Sequence, residues 1–124
     1  MKLYRVMKVA ADGKPLVGTS GSMLGVRPTN PANTDPKRRS DVAAVNDADL
    51  VHPGEGLSTS PDPNSRAPRR GEAVFEIETD DLGPDVQPHH DKPGHCLLRP
   101  VRSMPLGEYQ QALSDTRDLW QQVQ

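Results

Sequence analysis

The chain has 124 residues and a net charge of −2, which bounds it to one domain (1–124) with a modest core. Leu, Val, Ile and Phe together make only about 19% of it, but a near-neutral charge argues for a small, loop-rich fold rather than disorder. A lone cysteine, Cys96, excludes an internal disulfide and a cysteine-held metal, and no apolar run is long enough to span a bilayer.

Charge is uneven along the chain. Residues 1–70 hold 11 Lys/Arg against 7 Asp/Glu, and residues 71–124 hold 4 against 10. Either the two halves attract each other within one fold, or the first carries an anion site and the second an acidic face for a basic partner. Neither half has the overall basic balance of a nucleic-acid-binding module. The opening MKLYRVMKV is too short and too charged for a secretory leader, so a cytoplasmic protein is the default expectation.

KLYRVMKVA (2–10) alternates as a strand, with Leu3, Met7 and Val9 on one face. Arg5 interrupts that apolar face. A guanidinium there needs an anionic partner or a route to water, and Glu76 or Glu78 would serve as a salt-bridge partner. Residues 12–15 turn the chain. Residues 16–28 hold two short apolar runs around Gly and Ser, which fits a hairpin or a loop with a short strand. From 28 to 50 the chain is expected to be loop-rich, with a helical turn or a short strand somewhere in 41–51.

GEGLSTSPDP (54–63) places Ser58, Thr59 and Ser60 ahead of a turn, and GLSTS lacks the GxSxG elbow of a serine hydrolase. GEAVFEIETDDL (71–82) is the second clear strand, with Ala73, Phe75 and Ile77 on one face. Residues 83–94 read as a loop held extended by three prolines. HCLLRPV (95–101) is a third strand, with Pro100 marking an edge or an end. A helix starts near Pro105 with Glu108 in its first turn, and Leu106, Tyr109, Leu113, Trp120 and Val123 continue it at three-four spacing, with Thr116 filling the gap in the stripe. The order strand, loops, strand, strand, helix indicates α+β with a mostly antiparallel or mixed sheet.

Three features stand out as chemistry: Arg5 inside a strand, the hydroxyl cluster 58–60, and the histidines 89, 90 and 95. His89, His90 and His95 with Asp91 have no zinc spacing, so no metal is expected. Taken in order, LYR, LGVRP (24–28), HPGEGLSTSPDP (52–63), VFEI, DDLGPDV, PGH and the MPLGEY helix start resemble the small ADP-ribosyltransferase-like toxins of the type VI secretion exported-effector-two (Tse-two) family.

The resemblance implies an ADP-ribosyltransferase-like split mixed or antiparallel sheet around an NAD-binding cleft. It implies that NAD is consumed as substrate, by transfer of ADP-ribose to a target or by hydrolysis. Arg5, Ser58 and His95 would be the catalytic residues, and Tyr4, Arg5, Ser58, Thr59 and Ser60 would contact the nucleotide. His95 stands where the wider fold usually offers a glutamate, which leaves transfer and hydrolysis both open. A toxin of this kind implies a cognate antitoxin or immunity protein, and delivery by a secretion system into a target-cell cytoplasm. Arg5→Ala would then abolish toxicity and leave the fold intact. The alternatives are a histidine-based ribonuclease toxin and a non-enzymatic interaction protein with an acidic binding face.

Overall fold

A computed structural model describes residues 1–37 and 39–123. Arg38, in the segment expected to be loop-rich, and Gln124 lie outside the described residues. The elements are β1 (Lys2–Lys8), β2 (Leu50–Val51), β3 (Leu57–Thr59), β4 (Glu72–Glu78), β5 (Val86–Lys92), β6 (His95–Pro100), β7 (Met104–Pro105), α1 (Leu106–Ser114) and β8 (Gln121–Gln122). They form two three-stranded sheets, β1-β4-β8 and β3-β6-β5, and a two-residue pairing of β2 with β7. All these pairings are antiparallel, and the fold is α+β with its helix late in the chain.

The period-two faces decide what each sheet buries. Leu3, Arg5 and Met7 on β1 lie opposite Ile77, Phe75 and Ala73 on β4, so the Arg5 side chain leaves the strand on its core-facing side. In the second sheet Leu57, Cys96 and Leu98 turn inward, while Ser58, Leu97 and His89 share the outer face. Both inward faces meet the buried side of α1 (Leu106, Tyr109, Leu113) in one core. Gly56 leads into β3 because a Cβ there would lie 2.6 Å from the Leu98 carbonyl oxygen.

The helix begins where Pro105 and Glu108 place it. Its first free N–H groups are satisfied from outside, Leu106 by Asp49 O at 2.8 Å and Gly107 by Asp47 O at 3.0 Å. It ends at Ser114, short of the expected stripe. Thr116 follows, a 3₁₀ turn covers Arg117–Leu119, and Trp120 is buried after the helix rather than within it. Val123, expected on the same face, is exposed, and its N–H donates to Val74 O at 2.8 Å beside the β4–β8 pairing. That pairing supplies β4 with hydrogen bonds that a continued helix would have left unmade.

Residues 83–94, read as a loop, contain β5, which forms a hairpin with β6 through Gly94 at φ 72°. Pro88 is tolerated because β5 is the sheet's edge. Pro100 marks the end of β6, not an edge, since β6 is the central strand. Between residues 41 and 51 the short strand β2 forms rather than a helix.

Tyr109 ties the helix to the second sheet. Its buried hydroxyl donates to Leu98 O and accepts from Leu57 N–H at 3.0 Å, joining β6 and β3 beside Ser58. Burial pushes the phenol well above its ordinary pKa, so it stays protonated. Tyr109→Phe should lower stability by about 2 kcal/mol, because a buried N–H and a buried C=O each lose a partner. Urea denaturation reads this directly, and an unchanged midpoint would show that water replaces the hydroxyl.

Candidate functional site

The two large sheets touch at one backbone pair. Tyr4 N–H donates to Ser60 O at 2.8 Å and Ser60 N–H to Tyr4 O at 2.9 Å. In a continuous antiparallel ladder Ser58 would next meet Val6. Instead its carbonyl accepts from Arg5 Nη1 at 2.9 Å, and β1 and β3 separate there. A side chain has replaced a rung of the ladder, and the opening it leaves is a cleft of about 290 Å³.

Arg5 holds this fork open. Besides Ser58 O, it donates from Nη2 to Gly21 O at 3.1 Å and to Met23 O at 2.9 Å, and from Nε to Met23 O at 3.3 Å. Four of its five N–H bonds are therefore directed at carbonyls, and one on Nη1 is left over. The carboxylates considered as partners are engaged elsewhere: Glu76 with Lys2 at 3.5 Å and Glu78 with the Met1 amino group at 2.6 Å. Burial pushes the Arg5 guanidinium down to about 10, with Asp41 opposing and the charges of Arg27 and Arg66 adding to the shift. It is still a cation at neutral pH. Carbonyl dipoles, not a counter-ion, solvate it.

Most of the residues singled out in the sequence come together here, whereas His89 and His90 do not line the cleft. Tyr4, Arg5, Ser58, Thr59, Ser60 and His95 line the cleft, joined by Arg27 and Arg66. Their hydroxyls are not equivalent. Thr59 Oγ1 is buried and donates to Cys96 O at 2.8 Å, and Ser60 Oγ donates to Gly94 O at 3.1 Å while accepting from Asp62 N–H. Both fasten β3 to the β5–β6 hairpin. Ser58, on the outer face of β3, is the one of the three whose hydroxyl makes no hydrogen bond among the described residues, and it lies diagonal to His95 on the neighbouring strand, a separation of roughly 7–8 Å between backbones.

His95 is oriented by a residue that the sequence offered only as part of an unconvincing metal set. Its Nδ1 lies 2.6 Å from Asp91 Oδ1 across the hairpin. Partial burial works to raise the Asp91 carboxyl, but the His95 hydrogen bond and the charges of His95 and Lys92 outweigh it and hold it below its usual value. His89 shares the outer face with Ser58 through Leu97, whereas His90 is exposed near the hairpin's end.

The electrostatic sign of the cleft is plain. Among the described residues three arginines and a histidine line it and no carboxylate does. Arg27 is engaged by Asp41 at 3.0 Å and Arg66 by Glu72 at 3.1 Å, each leaving further N–H groups unengaged. This is an arrangement that attracts an anion and can hydrogen-bond its oxygens. Sequence reasoning missed Arg27 and Arg66, whose loops reach the cleft only through tertiary structure.

Two concavities are larger. One of about 650 Å³ is lined by residues between 28 and 36 with Arg39 and Ser40, and one of about 540 Å³ lies between α1 and the loops around Val17 and Val45. Neither gathers the strand-borne groups that the cleft does. Among the described residues no set of three or more His, Cys, Asp or Glu is placed to hold a metal ion, and no helix is long and apolar enough to cross a membrane. No family model matches the chain, and no curated protein or solved structure was found to be similar to it.

Proposed function

We propose that the protein is a small ADP-ribosyltransferase-like toxin whose cleft binds NAD and breaks its bond between nicotinamide and ribose. The observation that carries this reading is the fork itself: two sheets parting at Tyr4/Ser60, with Arg5, Ser58 and His95 gathered in one cationic cleft. The pyrophosphate of NAD would meet the unengaged N–H groups of Arg27, Arg66 and Arg5. The Ser58 hydroxyl would orient the nicotinamide ribose. Such orientation favours a reaction that passes through an oxocarbenium-like state and needs little other machinery.

As the nicotinamide leaves with the bonding electron pair, a target nucleophile or water captures the sugar, giving transfer or hydrolysis. A free enzyme of this kind would harm its producer, so a cognate antitoxin covering the cleft belongs to the proposal, as does delivery into another cell. A second reading, RNA cleavage without NAD, is favoured by the His95–Asp91 pair lying in a cationic cleft.

The test is nicotinamide release from NAD by purified protein, alongside growth and cellular NAD on induced expression. Ser58→Ala should lower release at least 10-fold and relieve growth arrest. Its stability should change by less than about 0.5 kcal/mol, because the side chain is neither buried nor a structural hydrogen-bond partner. Growth arrest without nicotinamide release, accompanied by RNA degradation, would favour the second reading. Harmless expression of the wild type would overturn both.

A further inference from the structure

Among the described residues the cleft has no carboxylate on its walls, yet one stands directly behind His95. The Asp91 carboxylate can only accept a hydrogen bond, so Nδ1 of His95 must be the donor at 2.6 Å. A neutral imidazole carries one proton, and here that proton is on Nδ1. Nε2 is then the basic nitrogen, and it makes no hydrogen bond among the described residues, while His95 lines the cleft. Isolated imidazole has no such fixed orientation. The tautomer is set by Asp91, just as outer partners fix histidines in metal and hydrolase sites.

The hairpin places the two residues of the pair on facing strands. Asp91 and His95 flank the Gly94 turn, and Gly94 O is itself held by Ser60 Oγ at 3.1 Å. The turn beside the ring is therefore tied to Ser60, the second residue after Ser58. Asp91 does not itself line the cleft, so any effect it has on chemistry is exerted through the ring.

We infer that Asp91 is a positioning residue that presents His95 Nε2 as the general base toward the acceptor, and that the acceptor is an oxygen nucleophile carrying a proton: a hydroxyl group or water. The inference rests on the NAD reading of the cleft. The step balances without any other reactant. The glycosidic C–N bond breaks and nicotinamide departs neutral with the electron pair. The acceptor oxygen bonds to the ribose carbon, and its proton passes to Nε2 and then to solvent.

The experiment compares wild type, Asp91→Asn and Asp91→Ala by the nitrogen chemical shifts of the His95 ring and by nicotinamide release. In wild type the neutral ring should be the Nδ1–H tautomer. Both variants should lose that preference, and kcat should fall about 100-fold with KM for NAD within twofold. Added azide is an anion with no proton to remove, so it should restore turnover in the variants more than in wild type. The two substitutions differ in their hydrogen-bonding capacity, so agreement between them separates lost positioning from a new contact.

Unchanged tautomer and kcat in both variants would overturn the assignment of Asp91 while leaving the NAD reading standing. A uniform loss that azide does not restore would overturn the role of base. If wild type releases no nicotinamide with any acceptor, the NAD reading fails. The ring shifts then decide the positioning by themselves: an Asp91-dependent Nδ1–H tautomer upholds it, and an Asp91-independent one overturns it.

Discussion

Trp120→Ala is expected to lower stability by about 3–5 kcal/mol, the usual cost of removing a large aromatic from a packed interior. The indole has 0% exposure, and its Nε1–H donates to Thr116 Oγ1 at 3.0 Å. That hydroxyl in turn donates to Leu113 O at 2.6 Å, which also accepts from the Thr116 N–H at 3.1 Å at the end of α1. Truncation opens a cavity and also removes a donor from a buried hydroxyl. A domain of this size has about 5–15 kcal/mol of total stability, so the loss is a large fraction of it. Trp120→Phe keeps most of the apolar volume and should cost roughly half as much. Urea titration of both variants checks the ratio. Equal midpoints for Trp120→Ala and wild type would place the indole outside the core.

The position of Trp120 shows where periodicity misleads. Leu106, Tyr109 and Leu113 are a true helical face, and Trp120 stands at the next position that face would use. A 3₁₀ turn reaches the same place by another route, with Arg117 Nε donating to Pro15 O at 3.1 Å and Lys14 Nζ to Trp120 O at 2.9 Å. These anchors come from residues about a hundred positions away, and no local pattern contains them. β5 was illegible for a different reason. Its outer positions are Gln87 and His89, and of its residues only Val86 is buried, so the apolar alternation that marks β1, β4 and β6 is lacking.

Residue types marked much of the site, whereas its geometry was tertiary. Arg5 on an apolar strand face and His95 after Pro-Gly are anomalies that a sequence displays. The hydroxyls of 58–60 look alike in sequence, but β pairing turns Thr59 toward the core and Ser58 outward. Asp91 reaches His95 because a hairpin reverses the chain between them, and that hairpin is made by the strand that the sequence concealed.

The second large effect concerns Arg5, and here the structure changes what the experiment means. Arg5→Ala is expected to cost about 3 kcal/mol, not to leave stability intact. Three carbonyls (Ser58, Gly21 and Met23) lose their donors, and the strut that keeps β1 apart from β3 is gone. Removing a buried cation offsets part of that cost, which keeps the figure below the sum of the hydrogen bonds. Loss of activity in this variant therefore does not by itself make Arg5 a ligand contact. Arg5→Lys is the sharper probe: it keeps the charge, but one ammonium cannot reach both sides of the fork in the guanidinium's planar geometry. Denaturant midpoints with and without saturating NAD separate the two roles, since a ligand that binds the native state raises the midpoint. A variant that is less stable yet still gains stability from NAD would make Arg5 a strut alone. A less stable variant with no such gain would give it both roles, and wild-type stability in Arg5→Ala would refute the strut.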